Sequence, residues 1–266
     1  MVTAGLMEEI PLEGGDVTAG VVRVGDTVRR PPRPTAPAVH ALLKHVRSRG
    51  FAGAPQVIGV DDQGREILTY VHGETALRPL PDYAVTERTL VELARLLRRY
   101  HDAAESFVPP TDAVWESGSN VDDEPELIGH CDVTPENVVF RLERPYALID
   151  FDMARPTTRL FDVVTTLRHW VPLADPADRD PRQAGLQAGP RIRLFCDAYG
   201  LTSEERRKVL PIARLRFQRS YDEMADRAIT HGGGWARMWD QGAGERIQRA
   251  QSWLTANWGE LDAHLA

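Results

Sequence analysis

The residues best suited to chemistry form one short run in the middle of the chain. His130, Asp132 and Asn137 have the spacing H-x-D-x-x-x-x-N, and Asp150 follows at the end of an apolar segment. A carboxylate such as Asp132 can accept the proton of a substrate hydroxyl, while the oxygens of Asn137 and Asp150 suit Mg²⁺ bound to nucleotide phosphates. Any one of these residues alone would be an ordinary turn or packing residue. Together, their types, order and separation fit phosphoryl transfer.

The segments around this run predict a β-hairpin that brings its two ends together. Residues 138–140 are β-branched or aromatic and predict a strand, and residues 146–149 predict a second one. Residues 142–145 predict the turn, because Pro145 cannot donate a ladder hydrogen bond. Asn137 begins the first strand and Asp150 ends the second, so we expect them to lie side by side.

Two further matches extend the pattern to a known family. Ile149, Asp150 and Ala154 have the spacing I-D-x-x-x-A, and residues 161–163 form an aromatic-Asp-aliphatic segment. With the H-x-D-x-x-x-x-N loop, they make the chain resemble the aminoglycoside phosphotransferase family, which shares the protein-kinase-like fold. The resemblance implies an α+β, bilobal molecule. A small N-terminal antiparallel β lobe (residues 1–72) would bind nucleotide, and a larger, mainly helical C-terminal lobe (residues 73–266) would hold the catalytic and acceptor-binding residues.

The resemblance also implies a cofactor site in the first lobe. Residues 8–31 alternate as three strands do, and the first hairpin contains Gly15, which would cover the phosphates of ATP or GTP with Mg²⁺. Arg29 aligns best with the phosphate-binding cation of the third strand, although the register could slip by one. Thr69 and Val71 would offer backbone groups to the base, near a lobe boundary at His72.

One departure from the family opens a second interpretation. The first helix usually supplies a Glu that pairs with the third-strand Lys, but residues 31–59 contain no Glu or Asp, and His40 stands near the expected place. The pair is therefore absent or rebuilt. A catalytically weak binding or regulatory module with a kinase-like fold is the alternative to an enzyme. A protein kinase fits less well, because Thr134 replaces its usual Lys and no A-P-E segment follows.

Composition limits the partners. The 266 residues carry a net charge of −7, which argues against nucleic acid, and no apolar run approaches a membrane span. Cys131 and Cys196 are the only cysteines, so a reducing cytoplasm is the expected compartment. The expected acceptor is a small hydroxyl-bearing molecule. The family suggests an aminoglycoside or another antibiotic, and the acidic charge is compatible with a cationic one.

The remaining segments are predicted to be mainly helical. Apolar residues at three- and four-residue steps predict helices around residues 39–46 and from 82 to about 104, in which His101 is expected to be a packed core residue. A capping box at residues 202–205 predicts a helix to about residue 229. Residues 176–189 predict a mobile loop, and one last helix is expected around residues 253–261.

Overall fold

The N-terminal part is an antiparallel sheet with one helix against it. The computed structural model describes residues 8–12 and 20–266; Gly15 lies outside them. Five strands pair in the order β1-β2-β3-β5-β4. Their bounds are β1 (Glu9–Pro11), β2 (Val22–Val24), β3 (Thr27–Arg30), β4 (Val57–Val60) and β5 (Glu66–Thr69). Helix α1 (Ala36–Ser48) buries Val39, Leu42, Leu43 and Val46, the face predicted from their spacing.

Two small sheets carry the central motif. β6 (Glu74–Thr75), β8 (Val138–Arg141) and β9 (Arg144–Leu148) form one sheet, and β7 (Leu127–Gly129) pairs with β10 (Arg155–Thr157) in the other. The predicted hairpin is confirmed, but its turn consists of Leu142 and Glu143, both with positive φ. Pro145 lies inside β9 opposite Phe140, where a register shift removes the need for a proline N–H.

The larger C-terminal part is helical. Its helices are α2 (Glu87–Ala104), α3 (Arg159–Trp170), α4 (Ala188–Tyr199), α5 (Ser203–Thr230), α6 (Gly233–Asp240), α7 (Ala243–Ala256) and α8 (Trp258–Leu265). The capping box at Thr202 and Glu205 is formed as predicted. The predicted last helix is two helices, because the chain bends at Asn257 between α7 and α8. In the described residues, no helix is long and apolar enough to cross a membrane.

Residues 176–189 are more ordered than their composition suggests. They contain two single turns of 3-10 helix, at Pro176–Asp178 and Pro181–Gln183. The buried Asp180 carboxylate accepts the Leu80 N–H at 3.0 Å. A long-range bond of this kind anchors a segment whose Pro, Asp and Ala content predicted a mobile loop. The α+β fold, with its antiparallel sheet and larger helical part, is the one predicted.

Candidate active site

The loop that carries Asp132 is fixed to the core by one buried carboxylate. Asp162, near the start of α3, accepts the backbone N–H groups of His130 at 2.7 Å and Cys131 at 2.9 Å. His101 Nε2 lies 3.0 Å from the same carboxylate, and both side chains are fully buried. Burial alone would raise the Asp162 pKa, but the His101 bond and the surrounding donors hold that pKa below its usual range. Asp162 thus stabilises Cys131, which has an unfavourable φ of +59°.

Other bonds tie both ends of the loop to the hairpin and to α3. His130 Nε2 donates to Ile149 O at 3.0 Å, which assigns the proton to that nitrogen. Tyr100 donates its hydroxyl to Ile128 O at 2.8 Å before the loop. Trp170 Nε1 donates to Val133 O at 2.7 Å after it. The carboxylate between these anchors is therefore held on a rigid backbone.

Asp132 and Asn137 are in direct contact. Asn137 Nδ2 donates to Asp132 Oδ2 at 2.9 Å and to its backbone oxygen at 3.0 Å. This leaves the Asn137 Oδ1 atom as the one suited to a cation. Burial raises the pKa of Asp132 to about 6, against the opposing charge of Arg216. A half-buried carboxylate with this pKa is ionised at neutral pH and still able to accept a proton.

The hairpin brings Asn137 next to Asp150. Ile149 N donates to Asn137 O at 2.9 Å, and Val138 pairs with Leu148. Asp150 itself has φ +61°, and the chain turns there so that Asp150 and Asp152 share one guanidinium group, that of Arg30. Burial, followed by the charge of Asp152, raises the Asp150 pKa to about 7. One guanidinium group shared by two carboxylates therefore does not fully offset the negative charge of Asp150.

The donor set at this point fits Mg²⁺. Asp150 offers carboxylate oxygens and Asn137 offers a carboxamide oxygen, the hard ligands that Mg²⁺ prefers. Within the described part of the chain, no group of three or more His, Cys, Asp and Glu side chains could hold a metal alone.

Arg30, and not Arg29, faces the carboxylates. Arg30 Nη2 lies 3.1 Å from Asp150 and 2.6 Å from Asp152. Arg29 points to the other face of β3, where it donates to Thr27 Oγ1 at 2.5 Å and lies 3.7 Å from Asp61. Side chains alternate along a strand, so a shift of one residue reverses the face. Arg30, and not the predicted Arg29, is therefore the β3 arginine beside Asp150.

The acidic partner missing from α1 is supplied by β5. Glu66 is buried and lies 3.8 Å from Arg30, 3.1 Å from Arg33 and 2.8 Å from His40 Nε2. Arg33 also contacts Asp152 at 2.5 Å. The expected Lys–Glu pair is therefore rebuilt from a strand glutamate, two arginines and the helix histidine. Sequence reasoning missed Glu66 and Arg33, although the β3–β5 pairing of Arg30 with Glu66 would have revealed the first.

The linker between the two parts gives different positions to the two predicted base-binding residues. Thr69 lies in β5, and its N–H donates to Gln56 O at 2.9 Å. Val71 lies in the open segment after β5, and its backbone makes no hydrogen bond to the described residues. Gly73 passes so close to Phe140 O that a Cβ would collide with it. Val71 is thus placed to offer backbone groups to a ligand, while the Thr69 N–H is already used.

Comparisons with known proteins identify the family of this chain. The model of the phosphotransferase enzyme family (APH) matches residues 13–114 and 111–195. A trifolitoxin immunity protein from Rhizobium leguminosarum bv. trifolii is 35% identical over 207 residues, which cover 75% of this chain and 77% of that protein.

Two solved structures share the fold. One is a choline/ethanolamine kinase family protein from Mesorhizobium loti, with TM-score 0.65, 16% identity and coverage of 98% of this chain and 91% of that one. The other is aminoglycoside 2'-phosphotransferase-IIIa, solved as a GDP complex, with TM-score 0.60, 16% identity and 94% coverage of both chains. The chain belongs to the aminoglycoside phosphotransferase family and has its kinase-like fold.

Proposed function

We propose that this phosphotransferase moves the γ-phosphoryl group of ATP or GTP to the hydroxyl of a small molecule. The observation that carries the proposal is the contact between Asp132 and Asn137 at 2.9 Å, with Asp150 one residue beyond the hairpin bond to Asn137. All three polar groups lie on backbone that the core fixes. Precise positioning is the main requirement of phosphoryl transfer, because little covalent chemistry falls to the protein.

Asp132 acts as the base. Its carboxylate orients the acceptor hydroxyl and accepts the proton as the acceptor oxygen bonds to the γ-phosphorus. The bond from that phosphorus to the β–γ bridging oxygen breaks, and the nucleoside diphosphate leaves. The hydrogen bond from Asn137 Nδ2 to Asp132 Oδ2 holds the carboxylate in one orientation during the transfer.

Asn137 and Asp150 would hold Mg²⁺, which when bound neutralises charge between the β- and γ-phosphates. Arg30 takes the role of the phosphate-binding cation. It now contacts Asp150 and Asp152, so its guanidinium group must move only locally to reach a phosphate beside them. Gly15, Thr69 and Val71 remain proposed nucleotide contacts, and Arg29 is replaced by Arg30 in this role.

The relative suggests a biological setting. That protein is named for immunity to a toxin, and phosphorylation of a toxin or antibiotic would give such protection. We therefore propose a role in resistance to a hydroxyl-bearing toxin or antibiotic. The cytoplasm is the proposed compartment, since Cys131 and Cys196 are buried free thiols.

A binding module with little catalysis is the second candidate. The rebuilt network of Arg30, Glu66 and His40 favours it, because it departs from the Lys–Glu pair usual in the family. Immunity by sequestration would need only binding.

Asp132→Ala separates the two candidates. Wild type and variant would be incubated with a panel of hydroxyl-bearing acceptors. Mass spectrometry would measure the release of nucleoside diphosphate and the phosphorylation of the acceptor. An enzyme loses at least about 10²-fold in transfer while nucleotide binding stays nearly intact. Transfer that survives the substitution would show that Asp132 is not the base. Wild type that binds nucleotide and never turns it over would favour the binding module.

A further inference from the structure

Three arginines near the catalytic loop form no ion pair within the part of the chain that the structure describes. Arg155 lies on β10, Arg168 on α3 and Arg216 on α5. Among residues 8–12 and 20–266, no carboxylate forms an ion pair with any of them, whereas neighbours such as Arg219 and Arg227 do have such pairs. We call these three residues the arginine cluster.

Neutral groups hold the arginine cluster in place. Arg155 is only 4% exposed and donates to Met153 O and Ser119 O, each at 2.8 Å, while its Nε atom is buried without a partner in the described structure. Arg216 Nε donates to Thr165 Oγ1 at 3.3 Å. The Arg168 guanidinium lies 5.6 Å from the centre of the Phe217 ring. None of these contacts neutralises a charge.

The cluster therefore concentrates positive charge beside Asp132. Burial, then repulsion by Arg168 and Arg155, lowers the pKa of Arg216 to about 9. Asp132 and Glu223 are the nearby carboxylates that act on the cluster. Glu223 is already engaged, because it accepts the Ser119 N–H at 2.6 Å and pairs with Arg227 at 2.9 Å. Burial of a cation without an ion-pair partner costs free energy, and a bound anion would supply the missing partner.

The position of the cluster indicates which ligand it serves. Arg30 reaches Asp150 from the β lobe, on the nucleotide side of the loop. Arg168 and Arg216 belong to α3 and α5 of the helical lobe, and α3 is tied to the loop by the bond from Trp170 to Val133 O. The cluster thus lies on the helical-lobe side of Asp132, from which the proposed acceptor would approach.

We propose that the arginine cluster binds an anionic group, a carboxylate or a phosphate, on the acceptor whose hydroxyl Asp132 activates. Arg168 and Arg216 are half-buried and would contact the anion through their planar guanidinium groups. The buried Arg155 adds charge from behind them. This inference rests on the proposed function. It replaces the cationic acceptor suggested by the family resemblance, because a polycation would be repelled at this point.

The test measures thermal unfolding of the full chain with Mg²⁺ and either AMP-PNP or GMP-PNP, the non-hydrolysable analogues of the two proposed nucleotides. The probes, at equal concentration and constant ionic strength, are 4-hydroxybutyrate, glycerol 3-phosphate and 4-aminobutan-1-ol, which carry a carboxylate, a phosphate and an ammonium group. The variants are Arg168→Gln and Arg216→Gln. The control is Arg207→Gln, an exposed arginine of the same helix as Arg216.

We expect at least one anionic probe to raise the unfolding midpoint of wild type and of Arg207→Gln, and the rise to be lost in both cluster variants. The probe that acts distinguishes carboxylate from phosphate. Without probes, Arg216→Gln should unfold at a higher temperature than wild type, since it removes an unpaired charge. A purely structural cluster would give a lower midpoint.

Four results would overturn the inference: no rise with either anion, an equal rise with the ammonium probe, a rise that the cluster variants retain, or a lower midpoint of Arg216→Gln without probes. A failure of the proposed function gives a different result. In that case neither AMP-PNP nor GMP-PNP with Mg²⁺ raises the midpoint, and the probes are then compared on the free protein, where the same four results decide the inference.

Discussion

Substitution of Arg30 by Gln, with Arg29→Gln as its control, tests whether the network between the lobes is built as the structure shows. The two arginines are neighbours on β3, but only Arg30 contacts Asp150 and Asp152. Removal of one partner from a buried ion pair costs about 3–5 kcal/mol. Arg33 remains 2.5 Å from Asp152 and 3.1 Å from Glu66, so we expect the lower end of that range.

A loss of about 3 kcal/mol should lower the unfolding midpoint of a chain of this size by about 6–10 °C. Arg29→Gln should change the midpoint little, because its contact with Asp61 is long, at 3.7 Å. Loss of a charged hydrogen bond to phosphate, about 1.5–3 kcal/mol, should also weaken MgATP binding roughly 10- to 100-fold in Arg30→Gln. Calorimetry of unfolding and titration with MgATP measure both effects. Equal effects from the two substitutions, or larger ones from Arg29→Gln, would refute the assignment of Arg30.

Two further predictions concern stability. Asp162→Asn should lower the free energy of unfolding by about 3–5 kcal/mol in urea, because the carboxylate serves His101 and the N–H groups of the catalytic loop. Asp102→Asn, an exposed control on α2, should change it little, and an equal loss in both would contradict the anchoring role. Burial, then Arg168 and Arg216, holds the His169 pKa well below 6.5. Its unfolded form takes up a proton first as pH falls below about 6.5, so wild type should lose stability relative to His169→Gln by up to about 1.4 kcal/mol per pH unit. Urea unfolding at pH 7, 6 and 5 measures the difference, and a constant difference would contradict it.

Local patterns in the sequence predict much of this molecule. The run from His130 to Asp150 contains both halves of a hairpin, so its strands and the adjacency of Asn137 and Asp150 follow from residue types and spacing. The buried face of α1 and the capping box of α5 follow from short-range periodicity and side-chain chemistry. Each of these features depends on residues close together in the chain.

Features that depend on distant contacts could not be predicted in the same way. The choice between Arg29 and Arg30 turns on strand register, which one residue reverses. Glu66 joins the network only because β5 pairs with β3. The arginine cluster brings Arg168 and Arg216 together only because α3 and α5 meet. The absence of an acidic residue from α1 was visible, but the strand that replaces it was not.

The most direct test of the central claim is the unfolding midpoint with MgATP or MgGTP against Mg²⁺ alone, in wild type and in Asp150→Ala. A ligand that binds only the folded state raises the midpoint. We expect a Mg²⁺-dependent rise in wild type with at least one nucleotide, and its loss in Asp150→Ala. No rise at millimolar nucleotide, or a rise that Asp150→Ala retains, would contradict the proposed nucleotide site.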